Sequence, residues 1–286
     1  MNKTDLAQYV TDMMVAELEK GLVPWRKPWS AAGYVPTSLS TGKPYRGVNT
    51  FILALVGQSK GYESNLWTTY KQAAERGGNV RKGEKSTTVV YWKILDVKDK
   101  ATGEDKKVPF LRHFNVFNLD QCDGLDAYRG KPEPRTVVVE DAVHATWQGY
   151  KDGPTLRHVA GDRAYYSPSD DQITMPLVES FHDGAAYAET LFHEMTHSTG
   201  HQSRLGRLGG SVAVAAFGSP DYAKEELVAE LGAVMLLGHA GIPVDAQNSA
   251  SYVGGWLRAL QDDRNLIISA AQQAQKAFDR IVGDVE

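Results

Sequence analysis

Apolar positions along this chain follow two rhythms. Over residues 4–20, Leu6, Tyr9, Val10, Met13, Met14 and Leu18 fall on one stripe at helical spacing, with Thr4 as N-cap and Gly21 as stop. A second apolar helix is expected near 50–57, and a short one from Thr68 to Arg76, ended by Gly77-Gly78. Residues 86–97, rich in Thr, Val, Tyr, Trp and Ile, read as a strand. Val108–Phe117 reads as its antiparallel partner across a charged loop, Lys98 to Lys107. Residues 1–125 thus form an α+β domain. Gly130, Pro132 and Pro134 among charged residues mark 126–135 as a linker, and 136–286 as a second, helix-rich domain. There a strand over 136–139 and a helix over 140–150 lead to a hairpin of Ala164–Tyr166 and Gln172–Met175. Helices near 221–238, 248–262 and 264–282 follow.

Composition narrows the class. With 42% apolar and 23% charged residues, the chain is an ordinary globular one. No apolar run approaches the roughly 18 residues of a membrane span, and no basic-then-apolar leader is visible. The single cysteine, Cys122, cannot form an internal disulfide, so a cytoplasmic protein without membrane contact is expected. The net charge of −4 hides an asymmetry. Residues 1–130 hold 19 Lys and Arg against 14 Asp and Glu, a net +5, and the remainder is at −9. A polyanion partner is expected for the first half only.

The chemistry centres on His193-Glu194-Met195-Thr196-His197, in a run without proline or internal glycine. On a helix, His193 and His197 lie one turn apart on the same face, where two neutral imidazoles can bind one Zn²⁺ at about 2.0–2.1 Å. Glu194 lies beside such a metal, placed as general base toward water. The competing reading is two surface histidines flanking a helical glutamate. The best third ligand is Glu226, on an expected helix whose apolar positions include Leu227, Val228, Leu231, Val234 and Met235. Glu226 and Glu230, one turn apart beside apolar positions, would be costly if unpaired. A metal relieves one carboxylate, and a hydrogen bond to a ligating imidazole relieves the other. For Glu225 the competing reading is a solvent-facing acidic stripe. His201 is two residues early for the third histidine of HExxHxxGxxH, a position that Ser203 occupies, so it is not assigned as a ligand.

In the first half, single-stranded nucleic acid would need cations and aromatic faces. Trp25, Arg26, Lys27 and Trp29, between Pro24 and Pro28, interleave both. Tyr45 with Arg46, and the basic turn of Arg81, Lys82 and Lys85, are further candidates. So are Trp67, Tyr70 and Lys71, and Tyr91, Trp92 and Lys93, with core packing as the alternative for Trp67, Tyr91 and Trp92. No zinc knuckle, helix-turn-helix or RNP motif is visible, so binding should be sequence-tolerant.

Two resemblances sit on these residues. HExxH followed by a helical Glu-x-x-x-acid resembles the gluzincin metallopeptidases, which implies that Glu226 is the ligand and that Glu230 orients a histidine. The whole chain resembles the ArdC-like antirestriction proteins of conjugative plasmids. It does so through Pro24–Trp29, Tyr45-Arg46-Gly47-Val48-Asn49, the stretch from His193 to His201, and Tyr222–Glu230. That resemblance implies an N-terminal domain binding single-stranded DNA and a C-terminal zincin-type metallopeptidase domain. It further implies protection of incoming plasmid DNA from host restriction. Zn²⁺, with Mn²⁺ or another divalent ion as alternative, is the expected cofactor. A protein substrate or a restriction enzyme is a candidate second partner. The competing functional reading is a non-catalytic protein that shields single strands and whose metal site is structural or vestigial. Tyr187, Tyr222, Tyr252 and His201 are open candidates for an oxyanion donor.

Overall fold

A computed structural model describes residues 3–25, 35–98, 105–129, 137–209, 220–244 and 250–283. The first helix, α1 (Lys3–Leu18), buries Val10, Met14 and Leu18 at four-residue spacing and stops before Gly21, whose φ of 74° is left-handed. After β1 (Thr37–Ser38), α2 (Val48–Lys60) buries Phe51, Ile52, Leu53 and Leu55, so it is covered on more than one side. The strand β2 (Leu66–Thr68) leads into α3 (Tyr70–Glu75) through a capping box. The Gln72 amide donates to Thr69 Oγ1, and the Thr69 amide donates to Gln72 Oε1. That box starts the helix at Tyr70, which leaves Thr68 to the strand.

The short β3 (Asn79–Val80) pairs with β6 (Cys122–Asp123). Between them lie the long strands β4 (Thr87–Lys98) and β5 (Asp105–Asn118), antiparallel from Thr87 opposite Val116 to Lys98 opposite Asp105. The sheet order is β1-β2-β5-β4, which leaves β4 at an edge. Asn49 clamps that edge: Val90 N–H donates to Asn49 Oδ1 and Asn49 Nδ2 donates to Val90 O, both at 2.7 Å.

The helix-rich part starts with α4 (Val139–Gly149), where a strand over 136–139 is expected from sequence. Residues 137 and 138 are irregular, and position 136 lies outside the described residues. A three-stranded sheet follows, of β7 (Thr155–Val159), β8 (Tyr165–Ser167) and β9 (Gln172–Pro176), in the order β7-β9-β8. The hairpin of β8 and β9 matches the expected one. β7, parallel to β9, carries no apolar run that would announce it, with Arg157 and His158 at its centre. Then come α5 (Gly184–Ser198), α6 (Pro220–Ala240), α7 (Ala250–Asp262) and α8 (Leu266–Val282). The buried positions of α8 are mostly alanine (Ala270, Ala271, Ala274, Ala277), and the helix packs closely on α6.

The chain is an α+β protein of two domains, but its largest core does not divide at the expected linker. α1 packs on α7 and α8, and Thr11 Oγ1 donates to Arg264 O at 2.8 Å. Val10, Met14 and Leu18 share one buried cluster with Trp256 and Leu260. Arg46 pairs with Asp279, and Gly47 N–H donates to Gln275 Oε1. A fragment of residues 1–125 would expose that face of α1. Of the expected linker, residues 126–128 form a single 3-10 turn, and positions 130–135 lie outside the described residues.

Candidate metal centre and nucleic-acid surface

The Asp183 side chain caps α5, accepting from the Ala186 amide at 2.8 Å. Ala188, Leu191, Phe192 and Met195 hold the helix in the core, which turns His193 and His197 toward α6. Gly232 sets how closely α6 approaches. A Cβ there would stand 2.4 Å from Thr196 Cγ2, so the crossing tolerates no side chain. Leu227, Val228 and Leu231 bury the core side of α6, and Glu226 and Glu230 are 6% and 5% exposed.

Three donors converge. His193 Nε2 and His197 Nε2 are 3.1 Å apart. Glu226 straddles them, with Oε2 3.5 Å from His193 Nε2 and Oε1 3.3 Å from His197 Nε2. The candidate ligand atoms all lie within 4.8 Å of one another. A tetrahedral ion with bonds of about 2.0–2.1 Å needs donors roughly 3.3–3.4 Å apart. Two imidazoles and a carboxylate at these separations fit a divalent metal. The closeness is otherwise hard to account for, since two imidazole nitrogens repel unless a proton or a cation lies between them.

Electrostatics agree with this. Burial alone would lower the pKa of His197, but its hydrogen bonds to Glu225 and Glu226 and the charges of Glu226 and Glu194 outweigh it and push it up to about 10. Burial would raise Glu226, yet the two imidazoles hold it well below the usual carboxylate range.

The closer carboxylate contact to a histidine is made by Glu225 rather than by Glu230. Glu230 Oε2 stands 4.0 Å from His193 Nδ1, beyond hydrogen-bond length. Glu225, for which a solvent-facing position was the competing reading, is largely enclosed, with its side chain 11% exposed, and His197 Nδ1 donates to its Oε1 at 3.1 Å. Arg207 grips the same carboxylate: Nε donates to Oε2 at 3.0 Å and Nη2 to Oε1 at 2.9 Å. Its Nη1 donates to Thr199 Oγ1 at 2.6 Å. The turn after α5 therefore reaches back to fix the imidazole on α5 through an acid on α6.

Glu194 is 8% exposed and lines, with His193, His197 and Glu226, a cleft of about 330 Å³. Tyr165 and Tyr166 of the edge strand β8, and Tyr222, form its other walls. The hairpin behind those walls is anchored by Arg204, which pairs with Asp171 and donates to Ser198 O at 2.8 Å. Of the expected oxyanion candidates, Tyr222 lines the cleft. Tyr187 hydrogen-bonds His158, His201 turns to Ser203, and the side chain of Tyr252 lies outside the described ones. Tyr166, not among those candidates, also faces the cleft.

The expected nucleic-acid residues do not gather in the same way. Trp25 is fully buried and packs edge-to-face on Trp256 at 5.2 Å, so its ring offers no face for a base. This corrects its expected stacking role: the loop docks its first indole into the helical core. Arg26, Lys27 and Trp29 lie outside the described residues. Tyr45 is half-buried, its hydroxyl pushed up to about 12 by burial, and packs toward Trp67, itself a core residue. Arg46 is committed to Asp279, and Arg81 to Glu84 and Asp123. Lys82 and Lys85 are exposed. Tyr91 is exposed, against the core alternative, and the side chains of Trp92 and Lys93 are not among those described.

The fold and the cleft define a zincin-like class joined to a sheet-bearing N-terminal domain. Residues 150–273 match the zincin-like metallopeptidase family, and residues 4–117 match the N-terminal domain of anti-restriction factor ArdC. The crystal structures of the antirestriction ArdC protein from plasmid R388 are similar along the whole chain. The metal-free form is 43% identical, with a TM-score of 0.77 over 97% of this chain and 96% of that one. The Mn(II)-bound form is 40% identical, with a TM-score of 0.78 over 98% and 99%. The chain belongs to the ArdC family of antirestriction proteins. It is also 38% identical to a DNA primase TraC of Escherichia coli over 98% of its own length, spanning 20% of that relative. The uncharacterized protein y4eC of Sinorhizobium fredii (strain NBRC 101917 / NGR234) is 36% identical, covering 96% of this chain and 91% of that protein. Among the described residues no helix is long and apolar enough to cross a membrane.

Proposed function

We propose that this protein is a metal-dependent peptidase that binds single-stranded DNA without sequence preference and protects incoming plasmid DNA from host restriction in the cytoplasm. The convergence of His193, His197 and Glu226 around one point carries the metal part of this reading. Zn²⁺ or Mn²⁺ held there would acidify a water and polarise a peptide carbonyl. Mn²⁺ is a realistic occupant, since one crystal form of the R388 relative is Mn(II)-bound.

The protein's own groups do the rest. Glu194, in the cleft wall beside both histidines, accepts the proton of the attacking water and passes it to the leaving amine. Glu225, held by Arg207, keeps the proton of His197 on Nδ1, so that Nε2 faces the metal with its lone pair. The cleft beside edge strand β8 can take an extended peptide. The net +5 of residues 1–130 supports the DNA part.

A DNA-protection assay comparing wild type with Glu194→Ala tests the reading. Loss of protection, with metal content and DNA binding retained, supports peptidase chemistry. Full protection by the variant would establish instead a shielding protein whose metal site is structural.

A further inference from the structure

We propose that the Tyr91–Phe114 ring pair on the β4–β5 ribbon, with Arg112 beside it, is the stacking platform for the bases of single-stranded DNA. The proposal rests on the DNA-binding reading above and names its surface. In the antiparallel register, Thr87 lies opposite Val116, Val89 opposite Phe114, and Tyr91 opposite Arg112. Pairs two residues apart share a face. At its root that face is core, because Thr87, Val89 and Val116 are buried and Val89 and Val116 pack with Trp67. From Phe114, opposite Val89, outward to Tyr91 it is surface. Tyr91 is 47% and Phe114 45% exposed, their ring centroids 6.3 Å apart at 75°.

A Phe left 45% exposed gains less for the fold than a buried one, and two adjacent exposed rings are a feature of contact surfaces. Four observations point to nucleic acid as the occupant. Arg112 is exposed directly across from Tyr91, so cation and ring stand together. The two strands carry five Lys or Arg against only Asp96 and Asp105, in the basic half of the chain. The clamp of Asn49 on Val90, next to Tyr91, fixes the strand before anything binds, which removes part of the ordering cost. And the fully buried Trp25 cannot supply the ring face that the first half was expected to offer.

The test measures binding of a fluorescent pyrimidine oligonucleotide to the full chain across a salt series. Tyr91→Ala and Phe114→Ala should each weaken binding by about 5- to 150-fold, the cost of one lost base stack, with the slope of log K against log salt unchanged. Arg112→Ala should make that slope shallower by about 0.7, one phosphate's worth. Tyr91→Phe and Phe114→Tyr keep a ring and should bind as wild type does, which separates stacking from damage to the ribbon. If wild type binds and both alanine variants bind equally well, the platform is wrong while the DNA reading stands. If wild type itself does not bind at low salt, the DNA reading fails and the platform with it. If the alanine variants keep DNA binding but lose binding to a purified restriction enzyme, the rings form a protein-docking surface and the proposal is overturned.

Discussion

The α5–α6 pair and the β4–β5 ribbon place their polar and aromatic groups in opposite ways. Between the helices Glu225 and Glu226 are almost wholly enclosed and held in contact with histidine or arginine, at distances set by Gly232 against Thr196. On the ribbon the rings stand half in solvent and only the strand beneath them is fixed. The helix pair is built for geometry, where an ångström matters to a metal. The ribbon, on the proposal that it stacks DNA bases, is built for tolerance, where any base can lie on a ring. Substitutions should therefore act on the first through metal affinity and stability, and on the second through DNA affinity alone.

The largest effect should come from Glu226→Ala. It removes one of the three proposed ligands and leaves two imidazoles facing each other at 3.1 Å with no anion between them. Metal content after dialysis should fall below detection, while the far-ultraviolet spectrum stays helical. Stoichiometric metal in this variant would sink the three-donor centre. Trp25→Ala should come next, acting on the fold rather than on DNA contact. Emptying a fully buried indole site against Trp256 should cost about 3–5 kcal/mol in a denaturant titration. A variant as stable as wild type would show that this ring does not tie the N-terminal segment to the helical core.

How much of this could be read beforehand follows from the same contrast. That His193 and His197 share one face was legible because four-residue spacing on one helix is a local property. Glu226 was legible because an acid among Leu227, Val228 and Leu231 needs a partner. Glu225 was not, since its burial depends on Arg207, which comes from a turn 18 positions upstream. Trp25 misled for the same reason: its neighbours in sequence are cations, but its neighbour in space is Trp256. The helices and the long strand pair followed from periodicity. β7 did not, because an edge strand centred on Arg157 and His158 shows no alternation. Whether Tyr91 faces core or solvent depends on how far the sheet extends, which no local pattern states.

A smaller effect separates the two carboxylates around the histidines. Glu225→Ala should weaken metal binding by about 10- to 100-fold, the usual cost of losing the group that orients a ligand imidazole. Glu230→Ala should weaken it less, because its oxygen is 4.0 Å from His193 Nδ1. Chelator competition ranks them. A larger loss for Glu230→Ala would return the orienting role to that residue.

The smallest effect is a proton. In the metal-free protein, burial pulls His197 down, but Glu225 and Glu226 prevail and raise it to about 10 from an ordinary 6.5. At neutral pH the imidazole therefore carries both protons, and a ligand imidazole must give up the one on Nε2. Metal binding should release about one proton, and affinity should rise about tenfold per pH unit until pH nears the His197 value. Glu226 adds nothing to this slope, being ionised throughout. The sign for stability is opposite. A histidine with a raised folded pKa stabilises the metal-free protein fully below its unfolded value, and that contribution is lost as pH climbs through about 10. The metal-free protein should thus lose melting temperature from pH 7 to 10, while the metal-loaded protein should not. Calorimetric titrations in two buffers of different ionisation enthalpy count the protons directly. A count of zero at pH 7 would mean that His197 is already neutral, and that the carboxylates around it hold the histidine pair together without charging it.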